Sequence, residues 1–293
     1  MYDTIIVGMG IAGISAGIYA KQANKNVLLL EGSAPGGLLN NIDSVKNFAG
    51  FTDIKGPDFA FNLYNQVVSN DIEFKLEEVI NIEVTEEGKK VITKNGEYLS
   101  KSVIIATGRR PKLLGLENEK ELLGRGVSTC AICDGNLYKG KDVAVVGAGN
   151  SALQEALYLA NVVNKVYILM RRSIFAGSPE LVDKVKNHPS IEVVLETSIK
   201  SINQEDGVFT NLTLNNDNIL EVSGLFVYAG YSPDVTFAKD LDITNLNGYI
   251  EVDDNLETKV KGIFAIGDVT KKDIYQLMNA AADGARVIGK LPR

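Results

Sequence analysis

The chain has 293 residues, 45% hydrophobic and 23% charged, with a formal net charge of −7, which suits two globular domains and excludes disordered and collagen-like classes. The acidic balance excludes a general basic field for nucleic acid or anionic lipid, leaving only small clusters at Arg109-Arg110-Pro111-Lys112 and Lys271-Lys272. No uncharged run reaches the ~20 residues that span a bilayer. The apolar start carries Asp3 where a signal peptide would be basic, so the expected setting is cytoplasmic.

The first predicted element is a β-branched run at residues 4–7, followed by Gly8-x-Gly10-x-x-Gly13 and a helix-like run to residue 20. The first glycine makes the turn, the second lets backbone approach a pyrophosphate at the helix N-terminus, and the third permits close helix packing. "VLLLEG" then ends a second strand in Glu31, eighteen residues beyond Gly13, where an acid accepts ribose hydroxyls. Tight packing alone would explain the glycines, but strand, spacing and acid together point to a nucleotide site. "GSAPGGLLNNI" (residues 32–42) reads as a flexible loop able to approach a large ligand. Residues 77–108 alternate apolar and polar side chains, with turns at Glu87-Gly88 and Asn95-Gly96, and read as a meander ending in a buried strand and "ATG" (106–108).

Cys130-Ala131-Ile132-Cys133-Asp134 carries the strongest chemical signal. Two intervening residues allow a disulfide at a helix start, where the dipole and backbone N–H groups lower a thiolate's pKa, and an adjacent carboxylate can carry the accompanying proton. Zinc would need two further ligands, whereas the chain has no other cysteine and one histidine, His188. Two buried core cysteines are the other alternative, and the polar turn at Asp134-Gly135 counts against it.

"KDVAVVGAGNSALQEALYLA" (residues 141–160) echoes the opening unit, so the chain contains two nucleotide-type folds. Gly147-x-Gly149-x-x-Ala152 can still build a pyrophosphate turn. The next strand runs into "MRRSIFAGS" (170–178), with no Asp or Glu to hold a ribose diol. Arg171 and Arg172 are either phosphate ligands or a solvated surface pair, and Phe175 beside Gly177 is placed to crowd a nucleotide. Residues 191–230 form a second strand-rich insert with turns near Asp206-Gly207 and residues 215–218. "GIFAIGD" (262–268) is a buried strand followed by a helix from about Ile274, and having no partner sheet of its own it is expected to return to the first domain. Its Asp268 is placed either to bond a ribityl chain or to cap a helix. The expected architecture is α/β: two doubly wound, Rossmann-like domains, one (113–241) inserted in the other (1–112 and 242–293).

The Gly8 motif, "PGG" (35–37), "ATG", "GRGVSTCAICDG" (124–135), the Gly147 motif and "GIFAIGDV" (262–269) together resemble low-molecular-weight thioredoxin reductases along essentially the whole chain. The resemblance implies FAD in the first domain, held by Gly8, Gly10, Ala12, Gly13, Glu31, Gly36, Gly37, Leu38, Asn47, Thr107, Gly108, Gly267, Asp268 and Gln276. It implies a redox disulfide at Cys130 and Cys133 with Asp134 as acid/base, Cys133 facing the flavin and Cys130 attacking the substrate, an order that the sequence alone does not set. It also implies thioredoxin as partner and a homodimer.

NADPH-dependent relatives carry His-Arg-Arg-x-x-x-Arg where this chain has Met170-Arg171-Arg172-Ser173-Ile174-Phe175-Ala176. A charge-assisted hydrogen bond contributes about 1.5–3 kcal/mol, so losing the last arginine weakens a 2′-phosphate site roughly ten- to a hundred-fold. Two readings of the electron donor stay open. The favoured one is reduced ferredoxin, as in the ferredoxin-dependent flavin branch, with Arg109, Arg110 and Lys112 as candidate docking residues. The other is weakened NADPH binding. A rival of another class is an NAD(P)H–ferredoxin oxidoreductase on the same fold, whose relatives lack the cysteine pair.

Overall fold

The structure, a computed structural model, describes residues 1–291. The chain divides into two compact units, residues 1–110 with 232–293 and residues 111–231.

The first unit opens with β1 (Tyr2–Val7), α1 (Ile11–Gln22), β2 (Val27–Leu30), α2 (Gly56–Ser69), β3 (Glu73–Lys75), β4 (Val79–Thr85), β5 (Gly88–Thr93) and β6 (Glu97–Ile105). Short strand β7 (Arg110–Pro111) lies where the chain leaves for the second unit, and β16 (Tyr231–Ser232) where it returns. In the second unit follow β8 (Val127–Ser128), α3 (Ala131–Asp134), β9 (Asp142–Val146), α4 (Asn150–Ala160), β10 (Lys165–Leu169), α5 (Pro179–Lys186), β11 (Ile191–Val194), β12 (Ile199–Glu205), β13 (Val208–Leu214), β14 (Ile219–Leu220) and β15 (Gly224–Val227). The first unit then closes with β17 (Ile263–Ala265) and α6 (Leu277–Ile288).

The first sheet has the order β3-β2-β1-β6-β5-β4, with β17 also on β6. β1, β2, β3, β6 and β17 run parallel, while β4, β5 and the first part of β6 form the antiparallel meander. The parallel strands are apolar on both faces because both are covered. Ile6, Leu29, Ile104 and Phe264 pack towards α1, α2 and α6, and Ile5, Leu28, Leu30, Val103 and Ile105 fill the other face. α1 and α6 come close through small residues: a Cβ on Gly284 would lie 2.4 Å from the Ala12 carbonyl oxygen.

The second unit repeats the plan with the parallel order β11-β10-β9-β15-β8, covered by α4 on one face and by the β12-β13-β14 hairpin sheet on the other. The hairpin turns at Asp206 (φ 51°) and Gly207 (φ 77°), the two left-handed residues that a tight two-residue turn requires.

Three expectations change. Residues 232–241, assigned from sequence to the inserted domain, belong to the first unit: Val235, Phe237, Ala238 and Leu241 cover the sheet face alongside Ile243 and Ile250. The run forms a 3₁₀ helix, Thr236–Leu241, whose short pitch leaves no α or β period to read. At the other crossing, residues 111–112 go with the second unit. The C-terminal helix starts at Leu277 rather than near Ile274, because Gln276 is extended (φ −137°, ψ 151°) and serves as its N-cap. Among the described residues no helix is long and apolar enough to cross a membrane.

Candidate active site

In the first unit the register places Val7 beside both Leu30 and Ile105, and Ile105 beside Ala265. Four parallel strand ends therefore deliver Gly8, Glu31, "ATG" and Gly267-Asp268 to one edge, where ligands of open α/β sheets bind. Gly8 has φ +106°, and a Cβ there would lie 2.6 Å from the Ala106 carbonyl oxygen; a Cβ on Gly13 would lie 1.9 Å from the Gly8 carbonyl oxygen. Gly10 is the N-cap of α1, no side chain caps the helix, and a Cβ on Gly10 would meet nothing within 4 Å. The first-turn N–H groups of α1, which include Ala12, are thus presented beside open space. Glu31 is oriented by the N–H groups of Met9 (2.7 Å) and Ser33 (2.9 Å).

The loop after β2 closes on this turn. Gly36 (φ +102°) donates its N–H to the Met9 carbonyl at 2.7 Å, and a Cβ on Gly37 would lie 3.5 Å from the Gly10 Cα. Leu38 follows, half-buried, on the 3₁₀ turn Gly37–Asn41. Thr107 and Gly108 are half-buried after β6, with open space around Gly108. Asn47 and Gln276, far apart in sequence, meet through an Asn47 Nδ2 to Gln276 Oε1 hydrogen bond of 2.9 Å. An uncapped helix start beside open space with a carboxylate at the next strand end fits the pyrophosphate and ribose of a dinucleotide.

Sequence reasoning missed the ring of residues around Asp268. Arg109 places Nε and Nη2 at 3.2 and 3.0 Å from Asp268 Oδ2, and its guanidinium lies 3.8 Å from the Tyr275 ring centroid. The Asp268 carboxylate is therefore held by an arginine rather than used as a helix cap. Burial, and then the neighbouring Tyr249 hydroxyl, push the Tyr275 phenol above its ordinary pKa. With its side chain 17% exposed, Arg109 is no part of a solvated basic patch, and Arg110 pairs with Asp234 at 3.0 Å. Of the proposed docking cations, only Lys112 stands exposed without an ion pair among the described residues. Strand pairing was the available signal, since Arg109 and Asp268 follow the adjacent parallel strands β6 and β17.

Beneath this turn, buried Asp283 accepts the Gly267 N–H at 3.0 Å and the Lys272 ammonium at 2.6 Å. Arg286 reaches the other carboxylate oxygen only at 3.8 Å and is more than half exposed, so removing Lys272 leaves the buried charge poorly compensated. Lys272→Met is therefore expected to destabilise the protein by about 3 kcal/mol, read as a lower urea midpoint at unchanged m. A loss under about 0.5 kcal/mol, the range of ordinary surface changes, would show that solvent already screens the pair.

In the second unit Cys130 and Cys133 form a disulfide, with Cα atoms 5.4 Å apart. Cys130 is buried and is the N-cap of α3, and its sulfur accepts the Cys133 N–H at 3.2 Å; Cys133 is exposed. Ser128 Oγ accepts the Cys130 N–H at 3.0 Å and donates to the Cys130 carbonyl at 3.2 Å. The sequence predicted help from a helix dipole, but α3 has only four residues, and the donor at Cys130 Sγ is instead the local Cys133 N–H. Asp134 follows Cys133, half-buried, and its N–H donates to the Cys130 carbonyl at 3.2 Å.

The second glycine turn keeps its shape: Gly147 has φ +146°, and Gly149 is the N-cap of α4 with nothing within 4 Å of its Cβ position. Beyond β10, Met170 is buried in the core, while Arg171 and Arg172 are exposed and make no ion pair among the described residues. Residues 173–178 fold back on the turn through Ala176 N–H to the Ala148 carbonyl (2.9 Å) and Ser178 N–H to Asn150 Oδ1 (2.7 Å). Phe175 packs against the core, with the Lys186 ammonium 5.5 Å from its ring centroid.

The sequence model of the pyridine nucleotide-disulphide oxidoreductases matches residues 2–284, and the chain belongs to that family of oxidoreductases. Within it the chain is related to thioredoxin reductases. It is 37% identical to that of Bacillus subtilis (strain 168) over 290 residues, covering 97% of this chain and 92% of the other. The crystal structure of Lactococcus lactis thioredoxin reductase (FR conformation) is similar with a TM-score of 0.92 and 33% identity, covering 99% and 98% of the two chains. A ferredoxin-flavin thioredoxin reductase from Clostridium acetobutylicum is 30% identical, covering 99% and 96%, with a TM-score of 0.54.

Proposed function

We propose that the chain is an FAD-dependent thioredoxin reductase that draws its electrons from reduced ferredoxin and delivers them through Cys130–Cys133 to thioredoxin. The observation that carries the disulfide chemistry is the closed pair itself, with Cys130 Sγ accepting a backbone N–H and Cys133 exposed. FAD held by the first unit would supply a centre that takes electrons singly and passes them on in pairs. Reducing the disulfide consumes two electrons and two protons and gives two thiols, and Asp134, next in sequence to Cys133, is the acid assigned to one of these protons. Cys130 then gives up its proton and its thiolate attacks one sulfur of the thioredoxin disulfide, and the other sulfur leaves as a thiol on taking up a proton. Cys133 loses its proton and displaces thioredoxin from the mixed disulfide, whose second sulfur also takes up a proton, and Cys130–Cys133 closes again. A disulfide in this place also argues against an NAD(P)H–ferredoxin oxidoreductase. The reading includes a homodimer, as the resemblance implies, and a cytoplasmic setting, which the low cysteine count favours.

Two features support a protein donor over NADPH: Met170 is buried where NADPH relatives carry histidine, and Ala176 stands where they carry the last arginine. NADH is no better served, because the strand end at Leu169 has no acid for a ribose diol. One observation favours the second reading: Arg171 and Arg172 are exposed beside an intact glycine turn and have no ion pair among the described residues. Anaerobic mixing with excess NADPH separates the two. The flavin band is expected to persist with NADPH and to bleach when reduced ferredoxin is added; rapid bleaching by NADPH alone would establish the second reading.

A further inference from the structure

Ala131, between the two cysteines, is fully buried, and its N–H is not directed at either sulfur. It donates to the phenol oxygen of Tyr228 at 2.9 Å, across 97 residues of sequence. Tyr228 follows β15, which lies between β9 and β8, and its own N–H donates to the Val146 carbonyl at 2.8 Å. Its carbonyl presses on the glycine turn, 2.7 Å from where a Cβ on Gly147 would stand. Burial first, and then the charge of Glu155 on α4, push the phenol far above its ordinary pKa, so it stays protonated while accepting from Ala131.

We propose that Tyr228 is a positioning residue for the redox pair, fixing the backbone between the two cysteines and thereby setting the stability of the Cys130–Cys133 disulfide. The proposal rests on the reading of that disulfide as redox-active, but not on the identity of donor or substrate. Both cysteines flank the anchored peptide group: Ala131 N is bonded to the Cys130 carbonyl carbon, and the next turn carries the Cys133 N–H back to Cys130 Sγ at 3.2 Å. An anchored dithiol has little freedom left to lose when its sulfurs join, so its effective concentration of one thiol towards the other is high and its disulfide is harder to reduce. Without the anchor, the opened pair gains freedom that the closed pair lacks. The sign follows: loss of the phenol oxygen favours the dithiol.

The test is equilibration of the flavin-loaded protein, without thioredoxin, in anaerobic dithiothreitol buffers of known dithiol-to-disulfide ratio. Acid quench and alkylation then count the open cysteines. Two electrons and two protons pass from dithiothreitol, which cyclises to its own disulfide, to the Cys130–Cys133 bond. Tyr228→Phe keeps the ring and removes the acceptor, and is expected to shift the equilibrium about tenfold towards the dithiol, a change of about 30 mV in the couple. 3-Fluorotyrosine at position 228, which keeps the ring and the hydroxyl and weakens the oxygen as an acceptor, is expected to shift it about threefold in the same direction. A residue that only supports the fold equally in both redox states would lower the melting temperature of both variants and leave this equilibrium alone. Tyr228→Phe within twofold of the parent overturns the proposal, and if that variant does not fold, an unshifted 3-fluorotyrosine protein overturns it. A chain that fails to reduce thioredoxin yet shows the tenfold shift would overturn the proposed function and uphold this inference.

Discussion

Cys133→Ser is expected to lower turnover of thioredoxin disulfide by at least about 10³-fold while leaving flavin content and melting temperature near those of the parent. Cys133 is exposed, so exchanging sulfur for oxygen removes little buried surface. What disappears is a covalent path: the variant cannot form the internal disulfide, and it cannot resolve a mixed disulfide between Cys130 and its substrate. The same variant should therefore accumulate a protein–thioredoxin adduct through Cys130, visible by mass under non-reducing conditions. Cys130→Ser should be equally inactive and form little adduct, because Cys130 is the cysteine whose sulfur receives the Cys133 N–H. Turnover within tenfold of the parent in either variant would rule out this disulfide as the electron path.

Gly13→Ala is expected to be the most damaging single methyl group in the first unit. The new Cβ would stand 1.9 Å from the Gly8 carbonyl oxygen and 3.3 Å from the Ala106 Cβ. Both neighbours are held, Gly8 by its N–H on the Leu30 carbonyl at 2.7 Å and Ala106 by its N–H on the Val7 carbonyl at 2.7 Å. Relief must come from moving the α1 start away from the β1 turn, the piece of backbone that offers N–H groups to a pyrophosphate. Overpacking of this kind costs about 3 kcal/mol, or roughly 6–12 °C in melting temperature for a unit of this size. The variant is expected to purify colourless, with FAD affinity down at least a hundredfold by fluorescence titration. A yellow protein of normal stability would mean that the turn can rearrange and that the third glycine is dispensable. Gly10→Ala is the internal comparison: its Cβ has open space in the chain itself, so it should fold normally and lose affinity only through contact with the bound nucleotide.

Local chemistry wrote much of this protein legibly. Glycine spacing after a β-branched strand, an acid at the next strand end and two cysteines separated by two residues each depend on neighbours within about twenty positions, and each reads the same in the fold. Periodicity located the meander and hairpin, since half-buried antiparallel strands must alternate. It failed where the chain is neither helix nor strand: residues 235–241 carry apolar side chains on a 3₁₀ turn, and the second domain boundary was accordingly set too late. Four-residue α3 likewise has no signature that would separate it from a longer helix, so the sequence overstated the helix dipole at Cys130.

By itself, then, the sequence determined the two nucleotide-type folds, the family, the cysteine pair, and Met170 and Ala176 beside the second glycine turn. Tertiary structure alone decided which distant residues serve these features. Arg109 meets Asp268 because β6 and β17 are parallel neighbours, Asp283, paired with Lys272, holds Gly267 because α6 returns under that turn, and Tyr228 reaches Ala131 because β15 pairs with β8, the strand that leads to Cys130. The physical reason is common to all three. A charge or a hydrogen-bonding group acts over a few ångströms of space, and the pairing of strands, which residue spacing does not encode, sets which groups come within that range.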